Sequence, residues 1–176
     1  MEKSACGESV TGNTVIYAIQ HTVVEDYSHP ELDWVGDSRF IFITAHRREN
    51  LGEPMHNMFR AIRRVLDEHP DVKAIYPIHM NPVVRKAADE ELGDCDRIHI
   101  IEPIEVFDCH NFEARCYLCL TDSGGIQEEC PSYGKPVLVM RDTTELPEGV
   151  EAGTLKLVST QEETIYEWFT KLLDDE

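Results

Sequence analysis

Short apolar runs that alternate with helix-length segments predict an α/β fold, a parallel sheet covered by helices on both faces. Three observations carry this reading. Strand-like runs recur at residues 40–43, 73–76, 97–101, 117–120, 137–140 and 155–158. Most are separated by a stretch long enough for a helix, the spacing that parallel strands need for their crossovers. The fourth run leads straight into Thr121-Asp122-Ser123-Gly124-Gly125, a glycine turn that opens a helical segment.

Taken in order, Phe40-Ile41-Phe42-Ile43 is continuously apolar, as a strand buried on both faces should be. After it, Met55, Met58, Phe59, Ile62, Val65 and Leu66 fall at three-and-four spacing, and Pro54 suits a first helical turn. That segment is a core-facing amphipathic helix. Further helices are expected after Pro82 to near Gly93, over 106–115, from Gly125 toward Tyr133, and from Gln161 to Leu173. There are no internal repeats or low-complexity tracts.

Two clusters sit where strands end. Glycines at a strand-to-helix turn let backbone approach a ligand closely, and the free N–H groups of a first helical turn attract phosphate oxygens. Glu128 and Glu129 lie within a turn of that start, where carboxylates can accept from sugar hydroxyls. The bland alternative makes Ser123 an ordinary N-cap, with the glutamates favoured by the helix dipole. The second cluster, Thr44-Ala45-His46-Arg47-Arg48-Glu49-Asn50, places a histidine and two arginines just past the first strand. Open α/β sheets bind ligands at that end. Together the clusters suggest a nucleotide-sugar site.

At 176 residues and 41% hydrophobic content, the chain fits one domain with a real core. Sixteen basic against thirty-four acidic residues give a formal charge of −18, which argues against nucleic-acid and anionic-membrane partners. An anionic nucleotide therefore needs a locally positive pocket. No membrane span or secretory signal is read, so a cytoplasmic location is expected. Cys6, Cys95, Cys109, Cys116, Cys119 and Cys130 are expected as buried free thiols rather than disulfides or a metal site. Cys116 and Cys119, spaced C-x-x-C in an apolar run read as strand, should point to opposite faces.

The clusters, with the stretch 10–16, His79-Met80-Asn81-Pro82, Ile101-Glu102-Pro103, Gly134-Lys135-Pro136-Val137-Leu138-Val139, Arg141-Asp142-Thr143-Thr144-Glu145 and Glu151-Ala152-Gly153-Thr154, occur in the order of a known family. The chain closely resembles the C-terminal half of the non-hydrolysing UDP-N-acetylglucosamine 2-epimerases. The resemblance implies a Rossmann-like domain, one half of the two-domain GT-B arrangement, with 1–10 a linker remnant, 11–176 the nucleotide-sugar-binding domain, and the N-terminal domain absent. That partner, as a domain or a separate subunit, would bring the acid and base for the sugar C2. The exposed cleft wall, including Gly12 and Asn13, would favour homo-oligomers.

The family reaction interconverts UDP-N-acetylglucosamine and UDP-N-acetylmannosamine by eliminating and re-adding UDP, with no cofactor or metal, in supply of cell-surface polysaccharides. The resemblance assigns His46 to the catalytic site beside the diphosphate and sugar. Ser123, Gly124 and Gly125 would hold phosphate, Glu129 the ribose hydroxyls, and Arg141 would add positive charge. Arg47 and His79 correspond to a possible allosteric site for a second substrate molecule. The chain departs from the family at Leu146, where an arginine is usual, and at Cys109, where an aromatic residue often lies near the uracil, with Phe107 and Phe112 as substitutes. Two other functions stay open: a glycosyltransferase-like domain, against which the His-Arg-Arg-Glu-Asn loop argues, and a non-catalytic UDP-sugar-binding module.

Overall fold

In the computed structural model, which describes Tyr17, Ile19 and residues 21–174, the six apolar runs form one parallel sheet. The strands are β1 (Arg39–Thr44), β2 (Val72–Pro77), β3 (Ile98–Ile101), β4 (Leu118–Thr121), β5 (Val137–Val139) and β6 (Leu155–Leu157). Their order is β3-β2-β1-β4-β5-β6. The chain thus builds outward from β1 in one direction, then returns to its other side with β4. Between the carboxyl ends of β1 and β4 lies the topological switch point, the crevice where such sheets bind ligands.

Alternation along β1 sorts the core into two layers. Ile41 and Ile43 face α2 (Glu53–Glu68), α3 (Pro82–Leu92) and α7 (Glu162–Asp174). Phe40 and Phe42 face α1 (Pro30–Val35), α4 (Val106–Arg115), α5 (Gly124–Ser132) and α6 (Pro147–Glu151). The predicted stripe of α2 is fully buried, from Met55 to Leu66. Each such side chain contributes roughly 1.5–3 kcal/mol on leaving water. Phe59→Ala would therefore cost about 3–5 kcal/mol.

Expected and observed strands agree to within a residue or two, and the segment 106–115 is helical as expected. Three short elements were not anticipated: α1, α6, and a 3-10 turn at Arg48–Asn50. The expectation for Cys116 and Cys119 fails. Cys116 is not in the strand but caps the end of α4, its thiol donating to the Glu113 carbonyl at 3.1 Å. Both sulfurs consequently enter the same core layer, beside Cys130. The five described cysteines are free, and among the described residues no cluster could hold a metal. Cys6, the stretch 10–16 and the expected linker lie outside the described residues. Among the described residues no helix is long and apolar enough to cross a membrane.

Candidate functional site

Register sets the site. Ile41, Phe42, Ile43 and Thr44 pair with Leu118, Cys119, Leu120 and Thr121, so β1 and β4 end at the same level. The two terminal hydroxyls meet at 2.6 Å (Thr44 Oγ1 to Thr121 Oγ1). Both chains leave the sheet side by side, one into the His46 loop and the other into the glycine turn.

Asp122, fully buried, joins the two. Its carboxylate accepts from the His46 amide (3.0 and 3.1 Å), the Arg47 amide (2.9 Å) and Asn50 Nδ2 (3.0 Å). Its carbonyl accepts from Arg47 Nε at 2.8 Å. The Tyr76 hydroxyl adds a bond to the Ala45 carbonyl at 2.6 Å. Burial, and then the Asp122 charge, push that phenol above its ordinary value, so it stays a donor. A loop that could wander is thereby fixed against the turn, leaving the His46 ring exposed and in stacked contact with the His79 ring at 5.6 Å.

The turn keeps its donors. The Ser123 amide bonds Thr121 Oγ1 at 2.9 Å, and the Ser123 hydroxyl makes no capping bond to α5. Ser123 does occupy the N-cap position of α5, as the bland reading has it, but without a side-chain capping bond. Gln127 steadies the turn from inside, donating to the Ser123 carbonyl at 3.0 Å while accepting from Thr144 Oγ1 at 2.5 Å. Arg47 Nη2 lies 3.5 Å from the position a Cβ would take on Gly124. The Arg47 guanidinium thus stands over Gly124, with Glu145 Oε2 at 3.9 Å from the same point.

Arg141, 6% exposed, comes from the end of β5. It grips Glu145 with two bonds (2.6 and 3.1 Å) and Glu49 with a third (3.2 Å). Arg47 reaches the same two carboxylates, at 3.3 Å from Glu145 and 3.8 Å from Glu49. The hydrogen bonds from Arg141 draw the Glu145 carboxyl down to about 2. Two arginines and two glutamates so form a clasp beside the turn. Arg141 is a buried, paired cation rather than a free one. Leu146, where the family arginine was expected, begins α6 and packs into the second core layer.

Glu129 lies one turn into α5, and its Oε1 comes back to 3.8 Å from the Cβ position of Gly125. His110 lies beside it, Nε2 to Oε2 3.9 Å. A cavity of about 450 Å3 opens beside the turn, walled by Thr44, His46, His79, Ile104, Cys109 and Ser123. That is within the range of small-molecule sites. Phe112 cannot line it: the ring is fully buried between Phe40 and Phe42, both about 6.0 Å away. Phe107 is 44% exposed and packs edge-on against Tyr27. Phe112 is thus withdrawn into the core while Phe107 stays exposed beside Tyr27, and Cys109 lies in the cavity wall.

The structure brings His46, Arg47, His79, Ser123, Gly124, Gly125 and Glu129 to one end of the sheet, with Arg141 behind them. Sequence reasoning missed Asp122 as the organiser, as well as Glu49 and Glu145. A carboxylate between an apolar strand and a glycine turn was the available signal for the first.

Comparison with known proteins agrees with this geometry. Residues 8–176 match the sequence profile of a family described as UDP-N-acetylglucosamine 2-epimerase. A Bacillus subtilis UDP-N-acetylglucosamine 2-epimerase is 62% identical over 173 residues, covering 98% of this chain and 46% of that protein. The S. aureus MnaA–UDP co-structure superposes with a TM-score of 0.92 at 54% identity, over 94% of this chain and 46% of that one. The Neisseria meningitidis UDP-GlcNAc 2-epimerase bound to UDP-GlcNAc gives 0.85 at 42% identity, over 94% and 47%. A Burkholderia vietnamiensis trehalose-phosphate synthase (UDP-forming), at 11% identity and a TM-score of 0.67 over 93% and 43%, shares the fold. The chain spans about half the length of the curated relatives it matches.

Proposed function

The chain belongs to the UDP-N-acetylglucosamine 2-epimerase family, an isomerase family, and on that premise we propose that it forms the UDP-holding half of an epimerase acting on UDP-N-acetylglucosamine. The observation that carries this reading is the Asp122 lock. It fixes the His46 loop and the Ser123-Gly124-Gly125 turn as one donor surface at the switch point.

The chemistry follows from where charge develops. Elimination of UDP from the sugar leaves a diphosphate with an additional negative charge, and preorganised donors aimed at it lower the barrier. The Gly124 and Gly125 amides, the Ser123 hydroxyl, the Arg47 guanidinium and the positive end of α5 supply those donors. His46 stands on the opposite wall, where it meets the diphosphate and sugar. Glu129 accepts from the ribose hydroxyls, and Arg141 acts from behind, offsetting the charge of Glu49 and of Glu145, whose Oε2 comes to 3.9 Å from the Cβ position of Gly124. Three carboxylates beside the turn are committed: Asp122 to amides, Glu49 and Glu145 to arginines. Inversion at C2 removes a proton from one face and returns one to the other, which takes two groups, and in this proposal the second domain or subunit supplies them. The domain division, with 11–176 as the nucleotide-sugar-binding unit completed by a second domain or subunit, is part of the same proposal, as are its cytoplasmic setting and its place in cell-surface polysaccharide synthesis. His79, stacked on His46, is kept as a candidate contact for a second ligand.

Calorimetry on the 176-residue chain tests the reading. UDP is expected to bind with a dissociation constant on the order of 0.1–1 mM, about −5 to −4 kcal/mol, and uridine far more weakly. Equal affinity for UDP and uridine would refute a diphosphate site. The same chain should give no deuterium incorporation at C2 of UDP-N-acetylglucosamine in heavy water; steady incorporation would show that both proton-transfer groups are present.

A further inference from the structure

Beneath Glu129 lies a second carboxyl group that the mechanism does not use. Glu113, on α4, is fully buried. Its Oε1 accepts from the Cys109 thiol at 3.2 Å, whereas its Oε2 has no hydrogen-bond donor in the structure. The charged side chain that acts on Glu113 is Glu129, on the neighbouring helix α5. An enclosed carboxyl group with one oxygen orphaned thus neighbours a second carboxylate that is only partly buried. An orphaned buried acceptor is costly, and two like charges in contact are worse. One proton removes both costs.

We propose that Glu113 is the positioning residue for Glu129: it carries a proton on Oε2 and donates it to the Glu129 carboxylate, fixing the rotamer in which Glu129 meets the ribose hydroxyls. This rests on the reading of Glu129 as the ribose acceptor. The proton sits on Glu113 rather than Glu129 because Glu113 is wholly enclosed, whereas the Glu129 side chain is partly exposed. In this arrangement Glu129 accepts one bond from Glu113 and keeps its remaining lone pairs for other donors. That is the form a pair of hydroxyl donors needs.

The surroundings of Glu113 hold the proton in place. From α4 it meets Cys109, with Asp108 acting on that thiol, and Cys116 follows at the end of the helix. Cys119 faces it from β4, and Glu129, Cys130 and Tyr133 from α5 and its end. Burial pushes Cys109 and Tyr133 upward, so they remain neutral, and Lys135 acts on Cys116. Burial, and then the Glu129 charge, carry Glu113 itself to about 9. Above that pH the proton leaves to solvent, the two carboxylates repel, and Glu129 loses its orientation.

The test is the ratio of affinities for UDP and 2′,3′-dideoxy-UDP, measured at pH 7 and pH 10 on the full chain and on Glu113→Gln and Glu113→Ala. Both ligands carry the same base and diphosphate, so their own titration cancels in the ratio. The unsubstituted chain is expected to prefer UDP by roughly tenfold at pH 7 and to lose most of that preference at pH 10. Glu113→Gln, whose amide donates but cannot ionise, should keep the preference at both. Glu113→Ala should lack it at both. If Glu113→Gln loses its preference at pH 10 as the unsubstituted chain does, or Glu113→Ala discriminates normally, the proposal is overturned while the ribose role of Glu129 stands. An unsubstituted chain that does not discriminate at pH 7 overturns the ribose reading and this proposal with it. Should Glu113→Ala fail to fold, the pH profile of Glu113→Gln decides alone, since a purely structural role would not move that ratio.

Discussion

Asp122 accepts from two backbone amides and one side-chain amide, so a single atom exchange at this residue turns an acceptor into a donor facing donors. Asp122→Asn is expected to cost about 1–3 kcal/mol in urea unfolding and to weaken UDP binding along with it. Unchanged stability would mean that the His46 loop is held by something else. Glu113 gives a prediction with a sign. Its folded-state value of about 9 exceeds the ordinary 4.5, so between those limits the folded chain binds more protons than the unfolded one, and stability falls as pH rises. Glu113→Gln removes that proton, and its urea midpoint should gain on the unsubstituted chain steadily from pH 5 to pH 9; parallel profiles would contradict the assignment. At this scale the sequence was only partly legible. Ser123, Gly124 and Glu129 stand in one contiguous run, but the partners of Asp122 lie 72–76 residues away. Arg141 meets Glu49 across 92. No local pattern announces such pairs, because folding, not sequence proximity, makes them neighbours.

Between elements, the decisive contact is the level ending of β1 and β4, which makes one surface of a loop and a turn. Gly124 tests that surface. The atoms nearest a Cβ there lie at 3.5 and 3.9 Å, ordinary contacts, so Gly124→Ala should leave the thermal midpoint nearly unchanged. It should nevertheless reduce UDP affinity severalfold, because the methyl group stands where a phosphate must approach the amides. A variant that loses stability but binds normally would remove the turn from the site. Strands and long helices were readable because burial imposes its period: the α2 stripe and the continuous apolar runs admit few alternatives. The shorter α1 and α6 were not, since a single turn or so of helix is set by its docking and caps rather than by periodicity. Phe112 shows the same limit. Its sequence position beside Cys109 is compatible with a ligand wall, and only the packing between Phe40 and Phe42 places it in the core.

Over the whole molecule, thirty-four acidic side chains against sixteen basic ones leave a formal charge of −18 on a compact surface. Self-repulsion of this size opposes compactness, and salt screens it over a Debye length of about 3 Å at 1 M. The ion pairs that Arg60 and Arg64 make from α2 to α3 and α7 weaken in salt too, but exposed pairs contribute only about 0–1 kcal/mol each. The thermal midpoint should therefore rise between 50 mM and 1 M sodium chloride, and a fall would show that the ion pairs outweigh the net charge. Against this acidic background, an anionic nucleotide is bound only where donors are concentrated, and the fold concentrates them at the β1/β4 crevice. Titration of the isotope-labelled chain with UDP, followed by amide chemical shifts, tests this most directly. The account predicts that His46, Arg47 and residues 123–129 shift first and most; shifts concentrated elsewhere, with those amides unmoved, would contradict it.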